Sequence, residues 1–349
     1  MKRIIIVVLL VTLAITITGQ MALAGGKARR PAIIEGADRV VELQRTDFEW
    51  EGTWYWYVGS TYNATNLTGV TALGLLEAYR DTKDTAYLDA AINAADFIQI
   101  HLGAGATGTK HYPRTTAPDI VFLHYLSEIT GDISYADRAV LEWNNIKSTY
   151  PTASDLDTLF RALQRRSAWD MAFFLEAAYL SGDMIWADDA AAIIGDITDE
   201  FYYGDDTWWY ALNVAGSIRA LAGCGYSSTY YSELVSLLGS LMSLVDDESG
   251  VGGYIQDTAY AVLAFSTVGG AANKYGNELA RWLANNQEPS GGWMEVGNEY
   301  PEVNGESLRA LASTIGNNNT LDGFEPGIPI NSSWVKAAGS QSALPIIVP

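Results

Sequence analysis

The sequence predicts an all-α fold, an (α/α)6 toroid of six helical hairpins, and three observations carry that prediction. The first is a recurring turn. Thr82-Lys83-Asp84-Thr85-Ala86-Tyr87, Thr130-Gly131-Asp132-Ile133-Ser134-Tyr135 and Ser181-Gly182-Asp183-Met184-Ile185-Trp186 share one pattern. Gly131 and Gly182 suit the left-handed position after a helix end, and Asp84, Asp132 and Asp183 are placed to cap the next helix. The aromatic three residues after each Asp then packs the new helix down. The second observation is spacing: with weaker copies at Tyr230 and Tyr275 and a first unit near Pro31, six units follow one another, the recurring aromatics 44 to 51 residues apart, as in stacked helix pairs. The third is an alternation of short turns with long loops, which sorts the helices into a more apolar inner set and an amphipathic outer set. Six such hairpins close naturally into a ring of twelve helices, with an open array of the same hairpins as the alternative.

Taken in order, Lys2-Arg3, the apolar run from Ile4 to Ile17 and Ala22-Leu23-Ala24 read as a secretory signal peptide with a small-residue cleavage site. The run is shorter than the ~20 residues a membrane span needs. Residues 1–24 are therefore expected to be removed, leaving no membrane span and an extracellular or cell-surface chain. Residues 25–320 form the toroid, and residues 321–349, with four prolines, form an extended tail. The full chain has 349 residues, with 21 basic and 41 acidic side chains; signal removal leaves 19 against 41, a net charge of −22. Nucleic acid is disfavoured as a partner at that charge. A lone Cys224 permits no intrachain disulfide, so stability outside the cell must come from the core. Oligomeric state is left open.

The inner helices are read at 69–79, 119–129, 170–180, 214–222, 257–265 and 306–313. The run 257–265 is Ala-rich and entered through Gly252-Gly253, as a buried helix is. Outer helices such as 87–101 and 135–147 mix charge with Ala and Leu, and 275–286 places Leu279, Trp282 and Leu283 on one face. Short turns then lie on one rim and all long loops on the other.

Trp282-Leu283, three residues, Gln287, three residues and Gly291-Gly292-Trp293 resemble the QW motif of the squalene cyclase and prenyltransferase repeats, and Asp257-Thr258-Ala259 resembles the tail of the cyclases' Asp-rich motif. The resemblance covers mainly the last third of the chain and implies the α/α toroid. It argues against terpene cyclisation, because Gln256 stands where those cyclases have the protonating acid. It argues equally against prenyl transfer, whose zinc ligands are Asp, Cys and His. The three histidines here all fall in the second repeat, far in sequence from Cys224, so neither metal nor other cofactor is expected. The recurring turns resemble, in addition, those of six-hairpin glycosidases and toroidal polysaccharide lyases, which implies a carbohydrate substrate.

Candidate site residues gather on the long-loop rim. Aromatics suited to stacking on sugar faces include Trp54, Trp56, Trp208 and Trp209, although such rings equally plug loops against a helical ring. Acids at or near the inner-helix starts, Asp119, Asp170, Asp257 and Glu306, can share acid and base roles in glycoside hydrolysis or serve as helix caps. Glu306 is the expected proton donor, Asp257 or Asp170 the activator of water, and Asp119 a substrate ligand. A basic cluster offers a second chemistry: Arg114 and Arg165 hold a uronate or sulfate while His111 or Tyr112 abstracts a proton in β-elimination. The sequence thus points to a toroid that binds, and by one of these chemistries cleaves, an extracellular glycan. The alternative is a non-catalytic toroid that binds a protein or cell-surface polymer through the same rim.

Overall fold

The computed structural model describes residues 28–62, 67–101, 113–162, 168–197, 207–246 and 248–315. The segments read from the sequence as signal peptide and tail lie outside them. Among the described residues thirteen α-helices follow in chain order: α1 (Arg29–Leu43), α2 (Thr68–Thr82), α3 (Thr85–His101), α4 (Pro113–Thr130), α5 (Ile133–Thr149), α6 (Ala153–Ala162), α7 (Ala168–Leu180), α8 (Met184–Ile197), α9 (Thr207–Gly223), α10 (Tyr231–Ser243), α11 (Ile255–Val268), α12 (Asn273–Asn285) and α13 (Pro301–Ser313). Two antiparallel two-residue ladders interrupt the last long loops, β1 (Val245–Asp246) with β2 (Gly250–Val251) and β3 (Met294–Glu295) with β4 (Asn298–Glu299).

The six inner helices form a closed ring in which α2 packs on α4, α4 on α7, α7 on α9, α9 on α11, α11 on α13 and α13 back on α2. Their apolar content explains the placement: residues 67–78, 255–265 and 301–312 are buried on every face, as helices covered on all sides must be. Each outer helix packs on the inner helix that precedes it across a short turn, and α1 completes the sixth pair by packing on α13. The two ends of the described chain therefore close the ring, as the repeat count predicts.

The short turns carry the expected chemistry. Oδ1 of Asp84 accepts from Ala86 N at 3.0 Å and that of Asp132 from Ser134 N at 2.9 Å. Gly131 and Gly182 both hold φ of 74°, and Lys83 occupies the same position at 62°. Tyr87, Tyr135 and Trp186 are buried behind these turns.

The QW segment closes the ring. Gln287 donates to Ala32 O on α1 at 2.9 Å and to Gly291 O at 2.6 Å, and the buried Trp293 donates its indole N–H to Leu283 O at 2.8 Å. The ring of Trp293 enters a slot left by Gly36, where an added Cβ would lie 2.8 Å from Trp293 Cζ3. Arg39 of α1 clasps Glu299 through two bonds of 2.9 and 2.8 Å.

The structure corrects the sequence reading in two places. A thirteenth helix, α6, stands in the third long loop. Its signal was legible as a reciprocal cap: Asp155 N donates to Thr152 Oγ1 at 3.2 Å while Thr152 N donates to Asp155 Oδ2 at 3.0 Å, and Leu156 is buried. The inner helices also start earlier than read, with Pro113 and Pro301 in their first turns, where a missing N–H costs nothing. Asp119 and Glu306 consequently lie in the second turns of their helices, and neither caps its own.

Candidate functional site

Because every inner helix follows a long loop, all six begin on one rim, and buried acids lie in or beside the first two turns of four of them. Asp119 comes from α4, Asp170 from α7, Asp257 from α11, and Glu302 and Glu306 from α13; Glu295 reaches in from β3. A spacing of four places Gln256 and Tyr260 on one face of α11, and Glu302 and Glu306 on one face of α13. These two faces meet: Gln256 Nε2 donates to Glu306 Oε2 at 2.9 Å and to Oε1 at 3.2 Å. The Tyr260 hydroxyl is buried beside Glu306 without a hydrogen bond of good geometry, and Trp169 lies edge-on to the Tyr260 ring at 6.4 Å.

Burial pushes the Glu306 carboxyl well above the usual carboxylate range, and the neighbouring Glu302 pushes it the same way against the opposing Gln256 bond. Both effects favour the protonated form of the Glu306 carboxyl, the direction a proton donor needs. Burial likewise raises the Tyr260 hydroxyl.

Two other acids hold helix ends. Asp119 Oδ1 accepts from Gly69 N at 2.8 Å, so α4 caps the start of its ring neighbour α2. Glu295 Oε2 accepts from Ile255 N at 2.7 Å and Gln256 N at 3.3 Å, capping α11 from the β3–β4 hairpin. Burial raises both carboxyls, and the amide bonds only partly oppose it. The other oxygen of Glu295 is buried without a hydrogen bond. Further from the rim, Glu176 of α7 draws in Arg219 of α9 at 2.9 Å, Tyr125 of α4 at 3.0 Å and Arg309 of α13 at 3.6 Å. Four inner helices are thereby linked by one buried charge network.

The candidate residues separate under this geometry. Asp257 is buried in the first turn of α11, but the residue of that helix that bonds Glu306 is its predecessor Gln256, about 100° round the helix. Asp170 is buried in the first turn of α7. Trp54 is fully buried and donates its indole N–H to Val40 O at 2.9 Å, which withdraws it from the rim. Trp56 is half-buried against Tyr300. His111, Tyr112 and Arg165 lie outside the described residues, as do the side chains of Arg114, Trp208 and Trp209. The sequence reading missed Glu295, Glu302 and Tyr260, although the spacing of four from Glu302 to Glu306 and from Gln256 to Tyr260 was a signal that each pair shares a face. Among the described residues no three His, Cys, Asp or Glu side chains converge to hold a metal ion.

No family model and no curated protein matches the chain. Solved structures do match in fold. The α-1,6-mannanase GH76A from Salegentibacter sp. HEL1_6 is similar at 11% identity with a TM-score of 0.58, covering 82% of this chain and 99% of its own. An unsaturated glucuronyl hydrolase specific for heparin is similar at 12% identity with a TM-score of 0.59, covering 82% of this chain and 96% of its own. An inactive variant of the same mannanase, with two adjacent aspartates replaced by asparagine and in complex with α-1,6-mannotriose, is similar at 12% identity with a TM-score of 0.56, covering 82% of this chain and 99% of its own. The fold is thus the α/α toroid that these glycosidases use.

Proposed function

We propose that this chain is an exported glycoside hydrolase whose site is the long-loop mouth of the inner ring. The observation that carries the reading is the buried Glu306, held by Gln256 with its carboxyl pushed upward by burial and by the neighbouring Glu302 and Glu295, on a fold shared with a mannanase and a glucuronyl hydrolase. In such a site Glu306 protonates the glycosidic oxygen of the departing sugar. A second carboxyl group, Asp170 or Asp257, activates the attacking water or attacks the anomeric carbon itself. The signal-peptide pattern of residues 1–24 supports export, and no helix among the described residues is long and apolar enough to cross a membrane.

A second reading has its own support: Asp119, Asp170, Asp257 and Glu306 are all buried, and Asp119 and Glu295 cap helices. Those facts favour a non-catalytic toroid that binds a polymer through its rim. One comparison separates the two. Wild type and Glu306→Gln are incubated with a panel of neutral and uronic oligosaccharides, reducing ends and unsaturated product are measured, and a melt controls for folding. Hydrolysis by wild type that is lost in a folded Glu306→Gln variant supports the enzyme. Binding without cleavage across the panel supports the binding module, and unsaturated product would move the chemistry to elimination.

A further inference from the structure

The β3–β4 hairpin holds a backbone conformation that its own packing does not explain. Its turn residues, Val296 and Gly297, have φ of 47° and 79°, the two positive values of a type I′ turn, for which Asn-Gly is the favoured pair. A β-branched residue in that region is a genuine outlier. The Val296 side chain is 70% exposed, so burial within the chain does not offset the strain. Strained residues of this kind persist where they serve a ligand.

The strand that follows this turn leads to a group of rings. Val58 N donates to Glu299 O at 2.9 Å, tying the first long loop to the hairpin. Tyr300, the residue after β4, meets Trp56 at 5.9 Å and 83°, and Tyr57 at 5.9 Å and 67°. Rings set edge to face leave part of each face uncovered, and all three are half-buried. Val58, Met294 and Val296 are exposed on this loop and hairpin. We infer that Trp56, Tyr57, Tyr300 and Val296 form an oligosaccharide subsite that takes neutral pyranose units. Rings meeting near right angles make a trough with a flat floor and wall, which fits the C–H face and edge of a pyranose. The acidic excess disfavours an acidic sugar. Residues 44–62 and 294–302 contain Asp47, Glu49, Glu51, Glu295, Glu299 and Glu302 against Arg45; Arg45 is paired with Asp47 and Glu299 with Arg39 of α1, and the two segments keep an acidic excess. A uronate or sulfate there meets like charge. Tyr300 immediately precedes α13, so Glu302 and Glu306 lie on the first turns of the helix that starts at this surface.

This inference rests on the glycan reading proposed above, and its test separates the two. Calorimetric titration uses neutral α-1,6-linked manno-oligosaccharides, a panel of other neutral oligosaccharides, and oligogalacturonate as the anionic probe. The proteins are wild type, Trp56→Ala/Tyr300→Ala and Val296→Asn. Wild type is expected to bind a neutral oligosaccharide and not oligogalacturonate, and the double variant to lose about tenfold or more in affinity. Val296→Asn is expected to raise Tm, because Asn accepts the left-handed region, while weakening binding several-fold; opposite signs in stability and affinity mark strain kept for a ligand. If both variants bind neutral sugar as wild type does while Glu306→Gln still abolishes cleavage, the subsite is wrong and the enzyme reading stands. Preference for oligogalacturonate overturns the neutral class. Absence of any glycan binding or cleavage by wild type overturns both.

Discussion

Gly36 and Trp293 offer a double-mutant cycle whose sign the packing fixes. An alanine Cβ at position 36 would stand 2.8 Å from Trp293 Cζ3 and 2.9 Å from both Trp293 Cη2 and Leu308 Cδ2. Trp293 is fully buried and tethered through its indole N–H to Leu283 O at 2.8 Å, so the ring has little room to yield. Overpacking of this kind costs ~1–3 kcal/mol, while alanine in place of glycine inside a helix returns about 1 kcal/mol. Gly36→Ala is therefore expected to destabilise by about 1 kcal/mol in the wild-type background. Phenylalanine at 293 lacks the two outer ring carbons that the new methyl would strike. In that background only the Leu308 Cδ2 contact remains, so Gly36→Ala should be near neutral, a coupling of roughly 1 kcal/mol. Trp293→Phe alone should cost ~2–3 kcal/mol for the cavity and the lost donor. Circular-dichroism melts of the four proteins measure this, at about 2–4 °C per kcal/mol for a domain near this size. If Gly36→Ala raises Tm in wild type as it would in any helix, Trp293 does not fill the slot and the account of ring closure fails.

At the short turns, Gly131→Ala should cost about 1 kcal/mol although nothing lies within 4 Å of its Cβ, because the penalty comes from φ of 74°. Lys83→Gly, at φ of 62°, should stabilise by a similar amount; urea midpoints measure both, and equal stability in all three proteins would refute the turn assignment. Glu306, Asp119 and Glu295 have folded pKa values raised by burial, so the native state binds the extra protons. Their contribution is full below the unfolded carboxylate range and is lost as pH rises through the folded values. Stability should fall from mildly acidic to alkaline pH, and Glu306→Gln should flatten that fall; a slope unchanged in the variant would show that Glu306 is ionised throughout. Burial lowers His124 from 6.5 to about 4, so here the unfolded state binds the proton. Its contribution, worth up to ~3 kcal/mol, is present above pH 6.5 and lost as pH falls toward 4. His124→Gln should remove that acid-side loss, and an identical acid limb in the variant would refute the assignment.

The sequence by itself determined the number of hairpins, the rim on which the loops gather, and which helices are inner. Each of these is a local matter. A Gly or Lys at a left-handed φ, an Asp two residues before an amide, and an apolar or amphipathic stretch are all written within about ten residues of one another. Only the tertiary structure decided the partners. Periodicity says which face of α11 or α13 points inward, but whether Gln256 or Asp257 meets Glu306 depends on helix phase to within a fraction of a turn, and it is Gln256 that does. Asp119 looks like the cap of its own helix in sequence. It caps α2 because α4 begins earlier, at Pro113, which moves Asp119 one turn inward and level with Gly69 of the adjacent helix. Trp54 and Trp56 are two residues apart and alike in sequence. One fills the core and the other edges Tyr300 at the rim, because the path of the loop across α1, and not its composition, determines which ring meets the helix.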